Sequence, residues 1–283
     1  MFFWYKFYKN CILNKSKTTH IYLFIYILSM IASGGQGDII RATLNGKPIV
    51  IKKFFKIKPF RREIDSLKKL NHPNIIHLLE FIEIKETDNN KYFAILEYIP
   101  GSLRNYIDYN SDLGKYIRIN DIKNICRQII SALEFCHEKE VYHLDVKPEN
   151  ILFDTKTMKA TICDFGCSRL HNYIKCGQIG TKEYMAPEII NLKPFYANKA
   201  DMWSFGITFI ELLTNKKPFQ FEGREPDSFN FLKSKDNNAF FNNIANGRDD
   251  ITTLTKQFIL DILQINYKMR PLFQDIKNHS WIQ

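Results

Sequence analysis

Tyr142-His143-Leu144-Asp145-Val146-Lys147-Pro148-Glu149-Asn150-Ile151-Leu152 is the stretch on whose reading the fold turns. Before it, Ile122 to His137 carries apolar residues at helical spacing, and after it the short run Ala160 to Cys163 reads as a strand leading into Asp164-Phe165-Gly166. Further along, Met202 to Leu213 and Leu254 to Leu263 return to helical spacing, while Gln220 to Asp250, rich in Asn, Asp, Lys and Phe, reads as loops with short helices. On the N-terminal side, Pro100-Gly101 breaks the chain and reads as a boundary between two lobes. Ahead of that boundary, residues 22–55 read as strands and Arg61 to Leu70 as a helix with Ile64, Leu67 and Leu70 on one face. Ile75 to Ile84 and Tyr92 to Tyr98 then read as two strands separated by the polar turn Lys85 to Lys91. No internal repeat is evident.

At 283 residues the chain is comfortable for two lobes sharing a cleft, and 45% hydrophobic with 25% charged residues is globular composition rather than disorder. The net charge of +10 is spread over scattered lysines, with no Arg-rich arm or Lys block to track a phosphate backbone, so nucleic acid is not expected as a partner. Cys11, Cys126, Cys136, Cys163, Cys167 and Cys176 show neither a CxxC pair nor zinc-ligand spacing, which fits reduced thiols in a cytoplasmic, reducing compartment. The N-terminus is unusual: Met1 to Tyr8 is almost all aromatic, lysines follow, and Ile21 to Ala32 is apolar. This resembles a signal peptide and is too short to span a bilayer. Because the apolar run flows straight into Ser33-Gly34-Gly35, Tyr26 to Ala32 is expected to be the first strand and residues 1–25 an extension; membrane contact through residues 1–30 stays open as the alternative.

Phosphoryl transfer asks a protein to grip phosphates, hold magnesium, align the attacking hydroxyl and offset developing charge. The glycine-rich turn Ala32-Ser33-Gly34-Gly35-Gln36-Gly37, followed by Ile39 and Ala42, suits the first task, since glycines let the backbone bend over phosphates and present N–H groups. Ile49-Val50-Ile51-Lys52 then places one ammonium at the end of an apolar strand, and Glu63 opens a helical run able to hold it. Each of these signals alone has an ordinary reading as a hairpin turn or a solvated helix charge. Together with the stretch at 142–152 they resemble the eukaryotic protein kinase family, in its Ser/Thr branch.

That resemblance covers residues 26–283 and implies an α+β fold of two lobes with an ATP cleft between them. The N-lobe (26–98) would be a small antiparallel β-sheet with one main helix, and the C-lobe (101–283) would be larger and mostly helical. Implied roles follow motif by motif. Asp145 would orient the substrate hydroxyl and accept its proton, Lys147 would neutralise the transferring group, and Asn150 and Asp164 would bind magnesium. Gly180-Thr181-Lys182-Glu183-Tyr184-Met185-Ala186-Pro187-Glu188 resembles the segment that floors the substrate site, with Thr181 tied to Asp145 and Lys147. Asp201-Met202-Trp203-Ser204-Phe205-Gly206 and Arg270-Pro271 also fall in family order, Arg270 as the buried partner of Glu188. Of the nucleotide-binding residues implied, Ala32, Gly34, Gly37 and Ile39 belong to the glycine-rich turn and the strand after it, Val50 would cover adenine and Leu152 would supply the floor. Leu96 would guard the back, Cys163 would line the pocket, and Glu97 and Ile99 would offer backbone hydrogen bonds. His143, Phe165, Leu67 and Leu78 would stack as an apolar spine. The implied enzyme is an ATP- and Mg²⁺-dependent protein serine/threonine kinase, a monomer acting on Ser/Thr of protein substrates. The runs His143 to Leu152 and Asp164 to Ser168 are similar to those of Mos-like kinases.

The chain departs from the family pattern at several positions. Ala32 replaces the usual first glycine, which should weaken the grip on ATP, and Val50 stands where alanine usually covers adenine. Leu144 stands where many regulated members carry an arginine that pairs with an activation-segment phosphate. The segment 164–188 is short, with Ser168 and Tyr173 the hydroxyls before Thr181, so activity without activation-loop phosphorylation is expected. Glu63 follows Lys52 by only eleven positions, a short tether that should limit outward swing of its helix. Glu149 suits a basic residue upstream of the target hydroxyl, but Leu103 stands where strongly basophilic members carry a second acid, which weakens any preference for arginine. The rival readings are a pseudokinase scaffold, a small-molecule kinase and a membrane-anchored kinase. Retention of Lys52, Asp145, Asn150 and Asp164 argues against the first, and the segment 180–188 argues against the second.

Overall fold

The computed structural model describes residues 25–35, 37–85, 90–218, 240–242, 245 and 247–283. The expectations placed on residues 1–24, on Gln36 and on most of 220–250 lie outside the described residues. Strands β1 (Ile25–Gly34), β2 (Gly37–Leu44), β3 (Lys47–Phe54), β4 (Leu78–Ile84) and β5 (Lys91–Glu97) form one antiparallel sheet in the order β1-β2-β3-β5-β4. The apolar run ending near Ala32 is therefore a sheet strand, as its junction with the glycine turn requires.

Period-two alternation sorts the residues of this sheet. Ile40, Ala42, Ile49, Ile51, Phe93 and Ile95 pack together on one face. The intervening residues of β2 and β3, among them Ile39, Val50 and Lys52, face the opposite way into a cleft. Helix α1 (Ile57–Leu67) lies on that second side and buries Phe60, Glu63, Ile64, Ser66 and Leu67, the i, i+3, i+4, i+7 stripe of an amphipathic helix. It starts earlier than the apolar spacing predicts. Pro59 sits in the first turn, where its missing N–H would have had no partner anyway, so it is tolerated there. The strand predicted from Ile75 begins only at Leu78, because Ile75 instead makes an isolated parallel bridge to Ile162 of the other lobe.

The C-lobe follows. Helix α2 (Leu103–Asp112) starts at a Ser102/Asn105 capping box, and α3 (Ile119–Glu138) precedes the 142–152 loop. The hairpin β6 (Ile151–Asp154) and β7 (Lys159–Ile162) comes next. After short β8 (Tyr173–Ile174), α4 (Pro187–Ile190) and β9 (Phe195–Tyr196), helix α5 (Ala197–Thr214) runs through the lobe's centre, every residue from Ala200 to Thr214 buried. The polar residues of that run, Asp201 and Glu211 among them, are buried with the apolar ones and find hydrogen-bond partners there. Helices α6 (Thr253–Ile262) and α7 (Phe273–Ile276) close the described chain. Ser102 bridges Leu152 and Phe153 N–H donates to Gly101 O at 3.3 Å, so the connection between lobes is stitched to the C-lobe at once. No helix among the described residues is long and apolar enough to cross a membrane.

Candidate active site

Lys52 sits on β3 with its side chain toward the cleft, and Glu63 lies on the buried stripe of α1. The ammonium meets Glu63 Oε2 at 2.6 Å and Asp164 Oδ1 at 2.8 Å. Burial alone would lower the Lys52 pKa, but the two carboxylates outweigh it and hold the group firmly protonated. Burial acts the other way on Glu63, pushing its carboxyl up to about 7 despite the attraction of Lys52. Its second oxygen has no hydrogen-bond partner among the described residues. Asp164, although partly buried, is held below the ordinary carboxylate range by Lys52 and by the Gly166 N–H, which donates to Oδ1 at 3.2 Å.

The loop at 142–152 is shaped from below. Asp201, fully buried on α5, accepts from His143 N–H at 2.9 Å and from Leu144 N–H at 2.6 Å. This pins Leu144 in the left-handed region at φ +62°, a conformation a branched residue adopts only when its surroundings compel it. Asp145 N–H donates to His143 Nδ1 at 3.2 Å, so Nε2 carries the ring proton and donates to Cys163 O at 2.9 Å. The His143 and Phe165 rings meet edge-on at 4.8 Å, and Leu67 and Leu78 belong to the same core, which gives the four predicted spine residues one connected packing.

Asp145 is then held on both oxygens. Thr181 O–H donates to Oδ1 at 2.7 Å and Asn150 Nδ2 donates to Oδ2 at 2.9 Å, with Lys147 Nζ 3.2 Å from Oδ2. Lys147 also donates to Thr181 Oγ1 at 2.5 Å. Gly180 makes this meeting feasible: at φ +98°, a Cβ there would stand 2.3 Å from Leu144 O.

Between the lobes lies a cleft of about 590 Å³. Ala32, Ile39 and Val50 line its upper wall, Leu152 its lower wall, Leu96 and Cys163 its depth, and Glu97 and Ile99 its connecting edge. Lys52, Asn150 and Asp164 face the same space. Gly37 is not among the described residues that line it. Gly34 and Gly37 pair with each other where β1 turns into β2, and a Cβ on Gly37 would meet Lys53 O at 1.8 Å. With Asn150 Nδ2 committed to Asp145, the oxygens of Asn150 and Asp164 form a hard donor pair suited to Mg²⁺. The described residues hold no cluster of three or more His, Cys, Asp or Glu that would cage a metal. Burial pushes the Cys163 thiol well up, so it stays a packing residue rather than a reactive thiolate.

Sequence reasoning missed several participants. Ile76 reaches the cleft from the β4 approach, and Arg41 lies over the Tyr98 ring at 4.6 Å beside the connecting edge. Ser66 and Ser168 share a buried hydrogen bond of 2.7 Å joining α1 to the segment after Asp164. Arg104 gathers Glu149, Glu211 and Tyr184 at the cleft mouth. Of these, only the occurrence of Ser66 on the buried stripe left a trace in the helical spacing.

Comparison with known proteins agrees with this geometry. The family model for the protein kinase domain matches residues 26–282. Calcium-dependent protein kinase 5 of Plasmodium berghei is 33% identical over 89% of the chain and 44% of its own length. NUAK family SNF1-like kinase 1 of Mus musculus is 31% identical over 89% of the chain and 37% of its own length. A probable serine/threonine-protein kinase MARK-C of Dictyostelium discoideum is 32% identical over 78% of the chain and 27% of its own length. The chain thus spans less than half the length of these relatives, and none of the three is Mos-like.

Proposed function

The chain belongs to the protein kinase family, and from that premise we propose that it is a catalytically active serine/threonine kinase acting on protein substrates. The observation that carries this reading is Asn150, which faces the cleft with the Lys52–Glu63–Asp164 cluster and donates to Asp145 of the adjoining Asp145–Lys147–Thr181 cluster. Lys52, fixed by Glu63, would pair with the nucleotide's phosphates. Asn150 and Asp164 would hold Mg²⁺, which when bound offsets phosphate charge. Val50 and Leu152 would sandwich adenine, while the Glu97 carbonyl and Ile99 N–H would meet its edge. Asp145, oriented on both oxygens, would accept the proton of an incoming Ser or Thr hydroxyl as that oxygen bonds phosphorus, and Lys147 would offset charge on the transferring group. The test is ³²P transfer from Mg·ATP to a generic protein substrate by wild type and Asp145→Asn. A loss of about 10²–10⁴-fold in kcat with nucleotide binding intact is expected; no transfer by wild type would overturn the reading in favour of a scaffold.

Activity is further proposed to need no activation-loop phosphate. Leu144 is buried in the core where the arginine partner would stand, and Ser168 is buried with its hydroxyl donating to Phe165 O at 2.7 Å, which leaves the exposed Tyr173 as the remaining hydroxyl before Thr181, with no arginine at position 144 to meet a phosphate. Lys52 already meets Glu63 without such a phosphate. Phosphatase treatment of the purified protein should leave its specific activity unchanged, and abolition would refute this.

A further inference from the structure

Among the described residues, a charge cluster that this chemistry leaves unused stands beside the 142–152 loop. Arg104, the second residue of α2, donates from Nε to Glu149 Oε1 at 3.0 Å and from Nη2 to Glu211 Oε1 at 2.6 Å and Tyr184 Oη at 3.1 Å. Its Nη1 reaches Asp108 at 3.4 Å. Tyr184 O–H donates to the other Glu211 oxygen at 2.6 Å, which locks that carboxylate in place. Glu149 follows Lys147 by two residues and lines the cleft with Asn150, and Tyr184 follows Thr181 by three. The cluster therefore borders the approach to Asp145. The Glu211 side chain is 2% exposed and that of Glu149 40% exposed, one deep acid and one open acid spaced to grip a single guanidinium. Such a fork matches arginine rather than lysine.

We infer that Arg104 is a specificity-determining residue, an internal guanidinium occupying an acidic subsite beside Asp145, so that arginine flanking the target hydroxyl is not selected. The inference rests on the kinase reading above. A tethered side chain competes at an effective concentration of mM or more, on the order of a thousandfold above a substrate peptide at micromolar concentration. An arginine on the substrate would gain only the contacts it took from Arg104. Arg104, a neighbour that no motif marks, thereby joins Leu103 as a reason against a firm preference for arginine at Glu149.

The experiment is phosphorylation of a positional-scanning peptide library by the full chain, comparing wild type, Arg104→Ala and Arg104→Ala/Glu149→Gln, with melting curves for each. Wild type should favour Arg over Ala by no more than about twofold at every position, a difference under 1 kcal/mol. Arg104→Ala should gain about tenfold preference for Arg at one or two positions, and the added Glu149→Gln should remove most of it. Should unpairing the buried Glu211 unfold Arg104→Ala, Arg104→Met/Glu211→Gln removes that charge with its partner and should gain a smaller preference through Glu149 alone. Strong selection of Arg by wild type, or unchanged selectivity in folded variants, overturns the inference while leaving the kinase reading intact. No phosphorylation of any peptide by any form would overturn both.

Discussion

Glu63 shows how one carboxyl can serve activity and stability with opposite signs. Burial raises its pKa to about 7, well above the ordinary value of 4.5. A folded pKa above the unfolded one means that the native state binds the proton more tightly, so the stability this group lends is fully present below about pH 4.5 and is lost as pH rises through about 7. Its grip on Lys52 needs the ionised form and is gained over that same window. Activity should therefore rise between pH 6 and 8 while the melting temperature of wild type relative to Glu63→Gln falls, a pair of trends that parallel kinetics and calorimetry would check. Trends of the same sign would contradict the assignment of Glu63 as the group that titrates.

Elements owe their placement to a few close approaches. The chain at Gly180 passes Leu144 so tightly that a methyl group would stand 2.3 Å from its carbonyl oxygen, at a positive φ that already disfavours any side chain. Gly180→Ala should cost about 1–3 kcal/mol of stability and lower kcat by separating Thr181 from Asp145, which urea unfolding and steady-state kinetics would measure. Helix α1 is latched to the Asp164 segment by the buried Ser66–Ser168 bond. A double-mutant cycle of Ser66→Ala and Ser168→Ala should return a coupling of about 0.5–1.5 kcal/mol; a value near zero would show that packing alone docks the helix.

The whole molecule depends on joints between distant segments. Arg270 forms two 2.7 Å bonds with Glu188, both side chains buried, fastening the segment after α6 to the segment 180–188. Arg270→Met should destabilise the protein by about 3–5 kcal/mol, because it strands a buried carboxylate. The double change Arg270→Met/Glu188→Leu should cost less than Arg270→Met alone, and thermal melts of the two would decide it. Across the lobes, the Ile75–Ile162 bridge joins the β4 approach to β7, and within the C-lobe the His143–Phe165 contact joins the 142–152 loop to the segment at Asp164.

What the sequence determined by itself is the set of residues proposed to react. Lys52, Asp145, Lys147, Asn150 and Asp164 were singled out because phosphoryl transfer admits few residue types in each role and their chain order leaves little freedom. The strands and long helices were legible through their apolar periods. Tertiary structure alone decided the early start of α1, where Pro59 costs nothing in a first turn, and the late start of β4, where Ile75 pairs across lobes. It also decided the Ser66–Ser168 latch, the support of Leu144 by Asp201 and the capture of Glu149 by Arg104. Each of these joins residues distant in sequence through hydrogen bonds whose value comes from burial, and burial is fixed only when the whole chain has folded.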